Sequence, residues 1–247
     1  MHSVDEVKGT QIGAGLSGKP LIWWSVATLI VLVLFYAGVR ARSNHEELTR
    51  GKINAGSDAF RKGDFAGAVK IYEEAAGIDP SNPKVHESLG RAYEAVNELP
   101  KAAGAYEKSL SLSAEQPAVL YRLAVLDRDL GRHKKAIALL KRAIALNKDD
   151  VSPRLLLASI YKHLEKYTAA IGQYDYVIEH LTTGVETAEV MADKGVVLWQ
   201  QNRDGKAAIK EWEAALKKDP GNRKALGMLS VVKALTNKPA PRRTQAR

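Results

Sequence analysis

The sequence predicts an all-α fold: a solenoid of five helix-turn-helix units with a capping helix, preceded by one transmembrane helix. Three observations carry this. A set of small and aromatic residues recurs with a period of about 34 residues, the length of a two-helix repeat. Asp-Pro-x-Asn turns at Asp79–Asn82 and Asp219–Asn222 end one helix and open the next, since proline cannot continue a helix. Ahead of the repeats, Leu21–Val39 is 19 residues without a charge.

Residues 1–19 read as a flexible N-terminal tail. Its Gly13-Ala-Gly-Leu-Ser-Gly18 spells the glycine pattern of a dinucleotide-binding turn, and Gly13–Lys19 matches most of a phosphate-binding loop. Both motifs need a preceding strand and a following soluble helix. Here no apolar strand precedes, and Pro20 occupies the Ser/Thr position. Residues 20–40 are expected to form the anchor helix. At about 1.5 Å per residue, Leu21–Val39 spans roughly 28 Å, close to a bilayer's hydrocarbon core. Trp23, Trp24 and Tyr36 fit aromatic belts at its two ends. The run exceeds the apolar core of a cleaved signal peptide, and Arg40 intrudes at the plausible cleavage site, so an uncleaved signal anchor is expected. Arg40, Arg42, Arg50 and Lys52 after the span outnumber Lys8 and Lys19 before it. By the positive-inside rule the solenoid is expected on the cytoplasmic side, with an extracytoplasmic or periplasmic placement as the alternative.

Residues 41–48 form a linker or the start of the first repeat helix, and five units follow at 49–82, 83–116, 117–150, 151–188 and 189–222. Gly56, Ala68, Tyr72, Ala75 and Pro80 recur as Gly90, Ala102, Tyr106, Ser109 and Ala114, then as Ala124, Ala136, Leu140 and Ala143. Ala158, Ala170, Tyr174 and Val177 make the fourth set. After four extra residues around 182–187, Val196, Ala208, Trp212, Ala215 and Pro220 make the fifth. Paired helices approach closely only where side chains are small, so Gly56, Gly90, Ala124 and Ala158 are expected to face the alanines of their partner helices. Gly63, Gly131 and Gly205 mark the turns inside units one, three and five, where positive φ suits a helix end. Residues 223–236 are expected to be a capping helix burying Leu226, Leu229, Val232 and Leu235, followed by a basic disordered tail at 237–247.

Residues 49–222 are identified by these slots as resembling the tetratricopeptide repeat (TPR) family, as a membrane-anchored member. The resemblance implies a right-handed solenoid whose first helices line a concave groove. Its candidate binding residues are then Arg50, Ile53, Ser57 and Phe60 in unit one and Lys84, Glu87, Arg91 and Glu94 in unit two. Tyr121, Arg122, Val125 and Arg128 follow in unit three, Leu155, Ser159 and Lys162 in unit four, and Asp193, Val197 and Gln200 in unit five. A charged entrance leading to an apolar middle suits an extended peptide or a partner helix with an apolar anchor. The family's carboxylate-clamp members hold a terminal carboxylate with Lys, Asn and Arg side chains. The corresponding places here carry Ile53, Ser57, Ser88, Ala118 and Arg122, so only Arg122 matches.

Composition sets further limits. The absence of cysteine excludes disulfides, thiolate metal sites and cysteine nucleophiles. The net charge of +9 is spread along the chain without the basic and aromatic interleaving of single-strand binders, so no nucleic acid is expected as partner. The six histidines lack the spacing that puts two ligands on one helix face. No catalytic group, cofactor or metal is expected. The expected function is a non-catalytic interaction scaffold at a membrane, an assembly factor or accessory subunit binding membrane-proximal proteins. The alternative is a self-associating structural scaffold. An enzyme or nucleotide binder is the least favoured class.

Overall fold

The computed structural model describes residues 19–202 and 205–236, with side chains described from Thr28 onward except those of Asn202 and Thr236. The N-terminal glycine motif at 13–18, the side chains of Trp23 and Trp24, and the basic tail at 237–247 therefore lie outside what is described. The described residues form eleven helices and no strand. The chain divides into two compact units, Met1–Gly51 and Lys52–Arg247.

The described part of the first unit is helical, within α1 (Lys19–Arg61). Helix continues through 41–48, so no break marks the expected linker. From Thr28 to Val39 every residue is exposed, including Leu29, Ile30, Val31, Leu32, Val33, Leu34 and Phe35. Among the described residues no helix is long and apolar enough to cross a membrane. The expected span at Leu21–Val39 starts in residues whose side chains lie outside the description.

The second unit is built from helix pairs. The end of α1 pairs with α2 (Phe65–Ile78), α3 (Pro83–Ala95) with α4 (Leu99–Leu112), and α5 (Pro117–Asp129) with α6 (His133–Leu146). Next come α7 (Ser152–His163) with α8 (Tyr167–His180) and α9 (Gly184–Asn202) with α10 (Gly205–Lys218), and α11 (Arg223–Thr236) closes the array. The small slots hold the pairs together. Ala68, Ala102, Ala136, Ala170 and Ala208 are all fully buried. Tyr72 lies flat against Gly56, and Tyr106 against Gly90, so closely that a Cβ on Gly90 would stand 2.6 Å from the Tyr106 ring. Four core clusters run along the array, each joining one helix pair to the next helix along, which is how a solenoid buries apolar surface without a central core.

Turn chemistry sets the boundaries. Asn82 caps α3 by accepting from the Lys84 amide at 3.0 Å, and Asp64 caps α2 from the Gly67 amide at 2.8 Å. The inner turns need one left-handed residue. Gly63 (φ 82°) and Gly131 (φ 71°) supply it in units one and three, while Asn97 (φ 60°) and Glu165 (φ 56°) take the same place in units two and four.

Three expectations are corrected. In unit five the small slot is Gly195, not Val196: the Trp212 indole packs directly on Gly195 and donates its N–H to the Ala192 carbonyl at 3.1 Å. Most of the extra residues near 182–187 fall in the long helix α9, and the register of this unit slips by one. Gly205 is not a left-handed turn residue but the buried first residue of α10. The buried face of α11 is also rotated. Ala225 and Val232 are buried, Met228 and Leu229 pack beside them, and Leu226 and Leu235 are exposed.

Candidate functional groove

The first-helix face of the second unit carries two neighbouring cavities, and eight of the expected groove residues line them. The first, about 320 Å³, is lined by Ser57, Phe60, Lys84 and Arg91 together with Arg61, Tyr72 and Ser88. The second, about 430 Å³, is lined by Glu94, Tyr121, Arg122 and Val125 together with Ala118, Asp150 and Ser152. The same slot positions that build the core bring these residues together. One position after each small slot the side chain turns to the inner face, which gives Ser57, Arg91, Val125 and Ser159. Two positions after, it turns inward to the next pair, which gives the buried Ala92, Leu126 and Ile160.

Charge distinguishes the cavities. In the first, Lys84 is paired with Glu87 at 2.8 Å and Arg61 with Asp58. The Arg91 guanidinium lies 5.4 Å from the Phe60 ring centroid and has no carboxylate partner among the described residues. The Tyr72 hydroxyl reaches the same cavity and shares a hydrogen bond with the Ser57 hydroxyl at 3.1 Å. In the second cavity the charges close on each other. Glu94 accepts from the Tyr106 hydroxyl at 2.5 Å and from Arg122 at 3.3 Å, tying α3 to α4 and α5. Burial first, and Glu94 second, push the Tyr106 hydroxyl above the ordinary phenol range. Tyr121 and Val125 stay half-buried and supply the apolar wall. The first cavity is therefore cationic with an aromatic face, and the second is amphipathic, with Asp150 left over beside the Glu94–Arg122 pair.

The remaining expected residues scatter. Ile53, Ser159 and Lys162 are half-buried outside both cavities, Arg128 is paired with Asp129 at 2.8 Å, and Leu155 packs on the cluster around Ala158 and Tyr174. In unit five the one-residue slip removes the assignment: Val197 is fully buried in the core, equivalent to Ile160, and Asp193 is held by Lys224 of α11 at 2.9 Å. Gln200 is exposed. The inner-face positions there fall to Val196 and Trp199. Tyr72, Arg61, Ser88 and Asp150 were not among the expected residues. The first comes from a second helix, whose hydroxyl reaches across only because Gly56 leaves room. Among the described residues no group of three metal-ligating side chains gathers.

Two sequence profiles, both described as tetratricopeptide repeat, match residues 53–117 with 164–223 and residues 97–160. The first alone covers more than half of the chain. The chain belongs to the tetratricopeptide repeat family. Among curated relatives, this TPR chain is 29% identical over 109 residues to human Tetratricopeptide repeat protein 28, covering 44% of this chain and 4% of that protein. It is 24% identical over 147 residues to Superkiller protein 3 of Schizosaccharomyces pombe, covering 60% and 10%. It thus spans a tenth or less of the length of these two relatives. Among solved structures, it resembles YrrB, described as a TPR protein with an unusual peptide-binding site, with a TM-score of 0.67, 21% identity, and coverage of 78% of this chain and 97% of the other. The MamA protein gives a TM-score of 0.66 at 24% identity, covering 71% and 93%. These likenesses establish a shared solenoid fold. TPR proteins mediate protein–protein interaction, and their repeats generally act as non-catalytic scaffolds.

Proposed function

We propose that this protein is a membrane-anchored, non-catalytic scaffold, an assembly factor or accessory subunit of a membrane protein complex, that binds an extended segment of its partner in the first-helix groove. The carrying observation is the adjacent pair of cavities: an unpaired Arg91 over Phe60, then the Tyr121–Val125 wall. An acidic side chain suits the first and an apolar side chain the second, which is the pattern of a peptide with an anchor flanked by charge. YrrB, of the same fold, is described as having an unusual peptide-binding site, which is in keeping with this reading.

The anchor rests on α1. A helix apolar on all sides belongs in a protein core or a bilayer. Leu29 to Phe35 are exposed around the whole circumference of the helix, which supports reading this segment as the anchor. The positive residues after the span favour the cytoplasmic side for the solenoid. Membrane attachment would raise the effective concentration of the groove for membrane-bound partners.

The test is a detergent pull-down read by mass spectrometry, with the single variants Arg91→Glu and Tyr121→Ala beside the wild type. A partner retained by the wild type and lost from both variants, while circular dichroism shows both folded, supports the groove. Retention by both sinks it. Protease protection in intact vesicles tests topology. Sedimentation of the full chain tests the alternative of a self-associating scaffold, whose mass rises with concentration.

A further inference from the structure

Unit three departs from unit two at one buried position on the second-helix side. In unit two, Tyr93 fills a slot between α2 and α4: its hydroxyl donates to Glu73 at 2.6 Å and the Lys101 ammonium lies 5.4 Å from its ring centroid. Shifted by one repeat of about 34 residues, Glu73 becomes Glu107, Lys101 becomes Lys135 and Tyr93 becomes Asp127. The acceptor and the cation are kept, and the phenol is gone.

What remains is a cavity of about 400 Å³ between α4 and α6, walled by Leu110, Leu123 and Leu139. Glu107 and Lys135, themselves 3.7 Å apart, stand exposed at its mouth. Asp127 also lines it, with a side chain only 1% exposed and neither carboxylate oxygen hydrogen-bonded. Arg132 approaches one oxygen only to 3.5 Å. A buried carboxylate without a donor is the costly kind of unsatisfied group, and an arriving O–H or N–H relieves it.

We propose that this cavity is a docking slot for a tyrosine side chain of a protein partner, which enters hydroxyl first, lays its ring between Leu110, Leu123 and Leu139, and donates its O–H to Asp127. The molecule itself supplies the template for the ring, because Tyr93, at the position equivalent to Asp127, fills the corresponding slot one repeat earlier beside the equivalents of Glu107 and Lys135, while the Asp127 acceptor is particular to unit three. The chemistry selects a phenol over the alternatives. Lys135, Arg132 and Arg142 around the mouth disfavour an ammonium or guanidinium, and a phenylalanine would fill the walls while leaving Asp127 without a donor. The site lies on the opposite side of α5 from the groove, so it stands or falls independently of the groove.

The test uses N-acetyl-tyrosinamide as probe and N-acetyl-phenylalaninamide as control on the full-length protein with ¹³C-labelled leucine methyls. Titration with the tyrosine amide is expected to shift Leu110, Leu123 and Leu139, with affinity about tenfold above the phenylalanine amide, the discrimination expected of one hydrogen bond to a charged group. Asp127→Tyr, which plugs the slot from within, is expected to abolish the shifts. Asp127→Asn keeps the shape and is expected to bring the two amides to within about twofold of each other. Leucine methyls that do not move, or that respond equally to both amides in the wild type, overturn the proposal. So does an Asp127→Asn variant that keeps the full preference.

Discussion

The contact between Gly90 and Tyr106 allows one substitution to be predicted with opposite signs at two places in the same helix pair. In Gly90→Ala the new Cβ would lie 2.6, 2.7 and 2.9 Å from three carbons of the Tyr106 ring. Carbon atoms settle at about 3.5–4.0 Å, so the ring must retreat by about 1 Å. It has nowhere to go: Tyr106 is fully buried, and its hydroxyl is held by Glu94 at 2.5 Å. Overpacking of this kind costs about 1–3 kcal/mol, and loosening the Tyr106–Glu94 bond adds about 1 kcal/mol. Alanine returns about 1 kcal/mol through helix propensity. The net expectation is a loss of about 2 kcal/mol. Gly104→Ala lies inside α4, is exposed, and meets nothing within 4 Å, so only the propensity gain of about 0.5–1 kcal/mol remains. Urea unfolding of the full-length protein followed by helical circular dichroism measures both. Hydrogen exchange of the α3 and α4 amides guards against the stepwise unfolding that repeat arrays show. If both substitutions stabilise, Gly90 is not a packing slot and the close-approach account of the pairs is wrong.

Glu165→Gly removes a left-handed glutamate (φ 56°) from the inner turn of unit four and is expected to raise stability by about 0.5–1 kcal/mol, read as a higher urea midpoint. Burial raises the Asp127 carboxyl above the ordinary aspartate range, against the opposing pull of Lys135 and Arg132. The folded form therefore holds this proton more tightly than the unfolded chain. Its contribution is most favourable below the ordinary aspartate pKa and declines as pH rises through the raised value. Asp127→Asn is expected to flatten the decline of Tm as pH rises from the ordinary aspartate range through the raised one, and an unchanged profile refutes this. Lys224 bridges Glu189 and Asp193, and its hydrogen bond is the main cause that lowers the Glu189 carboxyl. Lys224→Met is expected to destabilise by about 1 kcal/mol, mostly by freeing α11, whose amides should then exchange first.

The pairing of helices was legible because its residues must be small and must recur: Gly56, Gly90, Ala68, Ala102 and Ala136 stand in the structure where the spacing puts them. The same counting failed in unit five. Nothing in a spacing rule says whether inserted residues lengthen a loop or a helix. α9 took most of them as helix, with Gly195 and not Val196 against Trp212 and Val197 in the core. The inner-face residues of units two and three were legible, since one helix face follows from one register. Tyr72 was not, because it belongs to a second helix and reaches the groove only past a glycine. Asp127 left a readable trace: Tyr93 and Tyr161 recur in one slot, and the unit between them carries an acid in that place.

The two sites share a single helix, and its geometry explains how they stay separate. At about 100° per residue, Tyr121 and Val125 fall within about 40° of each other, as do Leu123 and Asp127, and the two pairs stand about 200° apart. The first pair lines the groove cavity and the second the tyrosine slot. Between them Leu120 and Ala124, both fully buried, form the seam that holds α5 against its neighbours. Tyr121→Ala is therefore expected to weaken partner retention and leave the N-acetyl-tyrosinamide response of Leu110 and Leu139 intact, while Asp127→Tyr does the reverse. Leu120→Ala removes buried methyl groups from the seam, costs about 2–5 kcal/mol, and is expected to impair both. A Tyr121→Ala variant that also loses the tyrosine response would mean that α5 has two packed states and couples the faces, which its fixed packing argues against.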